Sequence, residues 1–117
     1  MTTMIKKRVA ELEGAQLDWA VEKVLTGARL VHYDGHYVPM PLDCALPYSS
    51  DWCNGGPIIE RERIRIGFAP KGHDDADTSF WAQCATFYTA FYARTTLIAA
   101  MRAFVASKLG DEVEVPE

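Results

Sequence analysis

YSSDWCNGGPIIERERIRI, residues 48–66, is the stretch whose reading decides how this chain folds. It holds a polar turn, a Trp beside a Cys, a Gly-Gly-Pro break and an alternating Arg/Ile run. Ser49, Ser50 and Asp51 are all strong helix N-caps, so one helical turn through Trp52 and Cys53 is expected. Gly55-Gly56-Pro57 is expected to interrupt that turn as a sharp bend, with Pro57 suiting a short helical restart over 58–61. From Arg63 the period is two: Ile64, Ile66 and Phe68 share one side, Arg63 and Arg65 the other. That is the mark of a half-buried strand. Read this way, Tyr48, Ser50, Asp51, Trp52, Gly55, Gly56 and Pro57 form an architectural joint. Trp52 anchors it in the core, and the strand beyond carries Ile64, Ile66 and Phe68 inward. The competing reading makes Ser49, Ser50, Asp51 and Cys53 a nucleophile or ligand pocket whose glycines let a ligand approach the backbone. It is the weaker one. No Lys-Ser/Thr follows the glycines and no strand precedes them, so this is not a phosphate loop.

Working upstream, residues 14–26 place Leu17, Val21, Val24 and Leu25 on one apolar stripe with Ala20 beside it. Asp18, Glu22 and Lys23 are expected to lie away from that stripe, and Gly27 to end the helix. Asp34-Gly35 sits between two β-prone runs, a hairpin signal with arms over 30–33 and 36–38. PMPLDCALP, residues 39–47, has too many prolines for a helix or a central strand and reads as a loop. Downstream, 70–79 is a polar surface loop, and 80–86 is a strand suited to pair antiparallel with 63–68. The last helix runs from Thr96 to Leu109 behind the N-cap Thr95 and closes at Gly110. Ile98, Met101, Val105 and Leu109, flanked by Leu97 and Phe104, form its stripe. Residues 4–12 fit either a short strand or a helical extension, while 1–8 and the acidic tail 111–117 are expected to fray. The layout is α+β: a small antiparallel sheet packed with amphipathic helices near both ends.

A chain of 117 residues suits a single domain with one core. No apolar run approaches the ~20 residues needed to cross a bilayer, and no apolar stretch follows the early basic residues as in a secretory signal. The expectation is a cytoplasmic protein with no membrane partner. Three cysteines, an odd number, fit free thiols in a reducing compartment. The net charge of −4 argues against a dedicated nucleic-acid binder.

Three blocks carry a family resemblance: ELEGAQLDWAVEKVL (11–25), YSSDWCNGGPIIERERI (48–64) and TTLIAAMRAFVASKLGDEVEVP (95–116). In order and spacing the chain resembles the NinX-like family of small phage and prophage proteins. More loosely, the first helix and the YSSD turn look like the phage α/β/α sandwich domain. The resemblance implies helices on both sides of the sheet, a helical 50–61, and a phage accessory protein acting in the cytoplasm of its bacterial host. It carries over no catalytic residue, cofactor or ligand. FYTAFYAR, residues 87–94, departs from the family pattern.

The chemistry-bearing residues are then ranked. His32, His36, Cys44 and Cys53 could suggest zinc, but hairpin pairing sets His32 and His36 on opposite faces, so no metal is expected. The acidic run at 73–77 lacks the Gly and distal Glu of a calcium loop. Cys53–His73 or Ser50–His36–Asp51 can be composed on paper, yet neither lies in a catalytic motif. The chain reads more as a non-enzymatic protein than as an enzyme, with no cofactor. Arg61, Arg63 and Arg65 with nearby rings offer a nucleic-acid alternative, against which Glu60 and Glu62 interleave with the arginines. A small hydrolase or transferase ranks below both. The leading expectation is protein contact, with a host or phage protein or with a second copy of the chain, through Phe87, Tyr88, Phe91 and Tyr92.

Overall fold

Ten consecutive residues, Leu97 to Ala106, are buried in the helix Thr96–Leu109, here α3. Only Arg102 among them is charged. A helix apolar all round must be covered all round. The sequence reading gave it a single stripe; in the structure it is the centre of the molecule, and Leu109, assigned to that stripe, is exposed. Ala99, Ala100, Ala103 and Ala106 keep its surface low, so neighbours approach closely from several directions. Thr95 caps it as expected, accepting the Ile98 N–H at 3.1 Å.

The computed structural model describes residues 4–27, 30–33, 36–39, 45–68, 79–85 and 89–117. Its elements are β1 (Met4–Arg8), a 3-10 turn (Val9–Glu11), α1 (Gly14–Thr26), β2 (Leu30–Tyr33), β3 (His36–Pro39), α2 (Trp52–Glu62), β4 (Arg65–Phe68), β5 (Phe80–Gln83), β6 (Phe91–Ala93), α3 and β7 (Glu112–Pro116). The class is α+β, as the sequence implies. Strands β4, β5 and β6 form an antiparallel sheet in that order, and α3 packs against all three. Helix α1 lies against α3 and β7, and α2 also packs on α3.

The expected pairing of 63–68 with 80–86 is realised as β4 with β5, Phe68 opposite Phe80 and Ile66 opposite Ala82. β2 pairs with β3 in the register the hairpin signal implies, Tyr33 opposite His36 and His32 opposite Tyr37. The Asp34-Gly35 turn itself lies outside the described residues. Ile64, Ile66 and Phe68 do share a side, but only Ile64 reaches the core. Ile66 is 43% exposed and Phe68 76%, because β4 is the edge strand farthest from β6.

Both chain ends depart from the fraying expected of them. β1 and β7 pair antiparallel over five residues, Met4 opposite Pro116 through Arg8 opposite Glu112. Val113 and Val115 point into the core while Glu112 and Glu114 stay outside, an apolar/polar alternation that a strand can use. The Val9 N–H donates to Asp111 O at 2.8 Å, and Gln16 of α1 ties the ribbon down by donating to Pro116 O at 2.9 Å.

The Gly-Gly-Pro stretch does not break the helix. α2 is continuous from Trp52 to Glu62 with Pro57 inside it. Gly56 has no Cβ to meet the proline ring, which lets the residue before Pro57 stay helical. Gly55 serves closeness rather than bending. A Cβ there would lie 2.7 Å from Leu97 Cδ2 and closer still to the Tyr48 carbonyl oxygen. The helix ends at Arg63 in the left-handed region, φ 53, ψ 47. There the Arg63 N–H donates to Glu60 O and the Ile64 N–H to Ile59 O, the paired bonds of a Schellman stop.

Candidate functional site

The joint is built by α1. Asp18 and Glu22 lie one turn apart on that helix, and both are buried rather than turned to solvent as the stripe suggested. Each has a partner in the 47–51 turn. Asp18 Oδ1 accepts the Ser49 backbone N–H at 2.8 Å, and the Glu22 carboxylate accepts the Tyr48 hydroxyl. Burial pushes the Tyr48 phenol well above its usual range, and the Glu22 hydrogen bond and the nearby carboxylates push it further. Tyr48, 6% exposed, is therefore the aromatic anchor. Trp52, expected in that role, is 54% exposed. The turn closes on Pro47, whose carbonyl accepts the Asp51 N–H at 2.9 Å. Asp51 then caps α2 as expected, accepting the Cys53 N–H at 2.9 Å, and also takes the Asn54 side chain at 3.2 Å.

With Tyr48 inside, Trp52 is left at the start of α2, facing the start of α3. Between the two helix starts runs an open groove of about 410 Å³, lined by Ser50, Trp52, Phe80, Arg94, Thr96 and Leu97 among others. Phe68 continues this strip, meeting Phe80 edge-to-face with ring centroids 5.4 Å apart, and Ile66 follows on the same strand. Arg94 is held by Glu13 at 2.8 Å at the rim. This apolar strip passes from a helix start onto a sheet edge.

The residues expected to form an interaction surface divide. Phe91 is a core residue on β6, 6% exposed, and Tyr92 is 51% exposed; Phe87 and Tyr88 lie outside the described residues. Residues 91–93 are extended, and alternation sends Phe91 and Ala93 inward and Tyr92 outward. A second open cleft, about 550 Å³, lies between β6 and the β1–β7 ribbon and includes Arg8, Thr89, Tyr92 and Asp111 in its lining. Near it the buried Arg102 joins the two parts of the fold: Nε donates to Leu12 O at 2.7 Å and a terminal nitrogen to Tyr92 O at 2.8 Å.

Each paper triad depends on a histidine whose side chain the structure does not describe. His73 and Cys44 lie outside the described residues, and the side chain of His36 is likewise not described. Cys53 is exposed and Cys84 buried, both as free thiols, and burial leads the effects that raise the Cys84 pKa. Among the described residues no three His, Cys, Asp or Glu side chains gather as a metal site, and no helix is long and apolar enough to cross a membrane. The residues missed from the sequence are Asp18, Glu22, Phe80, Trp81 and Arg102. A lone Arg inside the run LIAAMRAFVA was the available signal for the last.

The family model described as "Bacteriophage P22, NinX" matches residues 8–108. A search of curated proteins finds no match for the chain.

Proposed function

We propose, for a chain that belongs to the bacteriophage P22 NinX family and is thus a phage protein, a non-enzymatic role as a docking module for a partner protein in the host cytoplasm. The observation that carries this reading is the strip of exposed Trp52, Phe68 and Ile66 around the half-buried Phe80. Large apolar side chains left contiguous on a small domain favour a protein interface. Tryptophan and phenylalanine are also enriched where interfaces bury their centres. The Arg94–Glu13 pair beside the strip supplies a polar rim.

The strip also has the geometry of an interface rather than of a reaction site. It is an open groove continued by the exposed Phe68 and Ile66. The caps Asp51 and Thr95 and the Arg94–Glu13 pair beside it are engaged with backbone or with each other. Affinity capture from the infected host with the wild-type chain, run beside Trp52→Ser/Phe68→Ser, tests the reading. One partner retained by the wild type and lost by the double variant, at unchanged melting temperature, supports it. Equal recovery with both chains refutes it.

A further inference from the structure

The face of the three-stranded sheet that turns away from α3 carries a different set of groups. Ala82, Phe91 and Ala93 are buried and fix the inner face, so alternation places Trp81, Gln83 and Tyr92 outward. Register carries this onto β4, where Gly67 lies opposite Trp81 and Arg65 opposite Gln83. Trp81 is directly opposite Tyr92 on its other side. One row across the sheet thus reads Tyr92, Trp81, Gly67, with Gln83 and Arg65 in the next row.

Gly67 decides how the indole lies. A Cβ at that position would sit 2.5 Å from Trp81 Cε2 and Cζ2. The ring therefore rests across the β4 backbone in space that any other residue would fill. A ring laid flat on a sheet offers its remaining π-face outward. Tyr92, half-exposed, stands beside it with Cβ atoms about 5 Å apart in such a pair. Arg65 is exposed on the same face. No carboxylate is among the described strand residues of this face, although the chain as a whole is acidic.

We propose that this outward face, with Trp81 and Tyr92 side by side and Arg65 diagonal to Trp81, is a stacking platform for single-stranded nucleic acid. Adjacent rings match the π-faces of successive unpaired bases, and such stacking tolerates any sequence. The guanidinium of Arg65 supplies a cation of the kind a phosphodiester backbone needs, while Asp111 and Glu112 line the cleft at the far, Tyr92 end of the row. Inside a duplex the bases are already stacked on one another and offer no free faces. The platform is on the opposite side of the sheet from Phe68 and Phe80, so it is separate from the proposed protein-docking strip and does not depend on it.

The test uses the full chain carrying Trp52→Phe, which leaves Trp81 as the solvent-accessible reporter, Trp19 being buried. Fluorescence titration at low salt with a short oligo(dT), and with a duplex of the same length, should give saturable quenching by the single strand only. Tyr92→Ser should weaken binding about fivefold or more. Arg65→Gln should flatten the dependence of log affinity on log salt by about 0.7. Both substitutions are at exposed positions, so they keep the test decisive even where Trp81→Leu fails to fold. Phe68→Ser should leave the titration unchanged. No saturable quenching, equal binding of duplex, loss on Phe68→Ser but not on Tyr92→Ser, or capture of only a protein through this face overturns the proposal.

Discussion

Gly55→Ala puts the largest strain on the smallest change. In an open helix this substitution stabilises by about 1 kcal/mol, since alanine loses less backbone freedom than glycine. Here the added methyl lands 2.7 Å from Leu97 Cδ2 and nearer still to the Tyr48 carbonyl. Leu97 can turn slightly, but the carbonyl is backbone. Its residue is fixed from below by the Tyr48–Glu22 bond and, one residue on, by the Ser49–Asp18 bond. The helix must therefore back away from both the turn and α3. Overpacking of this kind costs about 1–3 kcal/mol, which outweighs the propensity gain. Melting should fall, by roughly 4 °C for each kcal/mol of net loss. Gly56→Ala is the internal comparison. Its nearest neighbour would be Trp52 Cε3 at an ordinary 3.7 Å, and the propensity gain is opposed only by crowding from Pro57. It should stay within about 1 kcal/mol of the wild type. Paired thermal and urea unfolding of the two variants measures both. A neutral or stabilising Gly55→Ala, or a Gly56→Ala that costs more, would refute the close docking of α2 on Tyr48.

Three other outcomes are expected. Tyr48→Phe leaves a buried Glu22 carboxylate without its donor and should cost about 1–3 kcal/mol by urea unfolding at neutral pH. Because the folded state holds the Tyr48 phenol above its ordinary value near 10, wild-type stability is fully present below that pH and declines as pH rises beyond it; melts across the alkaline range should show the variant lacking that decline. Arg63→Gly relieves a left-handed φ of 53 and should raise the urea midpoint, by about 0.5–1 kcal/mol of stability. Deleting 112–117 uncovers β1 and removes the buried Val113 and Val115, at about 1.5–3 kcal/mol each, so the shortened chain should be largely unfolded by circular dichroism.

The helices were legible because their signals are local. Thr95 and Asp51 are caps within three residues of what they cap, and Leu17, Val21 and Ile98 repeat within a turn or two. The hairpin register at 30–39 was legible for the same reason. What was not legible depends on residues distant in sequence. Asp18 and Glu22 look like solvent-facing acids until the 47–51 turn arrives beside them, 31 and 26 residues later. The same arrival puts Tyr48 inside and leaves Trp52 outside, and size and hydropathy alone favoured the reverse. β1 and β7 are separated by about the whole chain, and each alone is a short, half-charged segment with no reason to persist. Gly55 looked like a bend because glycine beside proline usually marks one; only the approach of Leu97 reveals its use.

The central position of α3 bears on how the molecule is made. During synthesis β1 to β6 emerge before the helix that sheet, α1 and α2 all rest upon. Until it follows, those pieces have little to close around, and β1 waits longest for β7. Acquisition of the native state is therefore expected to be a late, cooperative event that awaits α3 rather than a stepwise one, since long-range pairings must precede any reward. A ribosome stalled short of Thr95 would hold a nascent chain with its greasy surfaces uncovered, a natural client for chaperones.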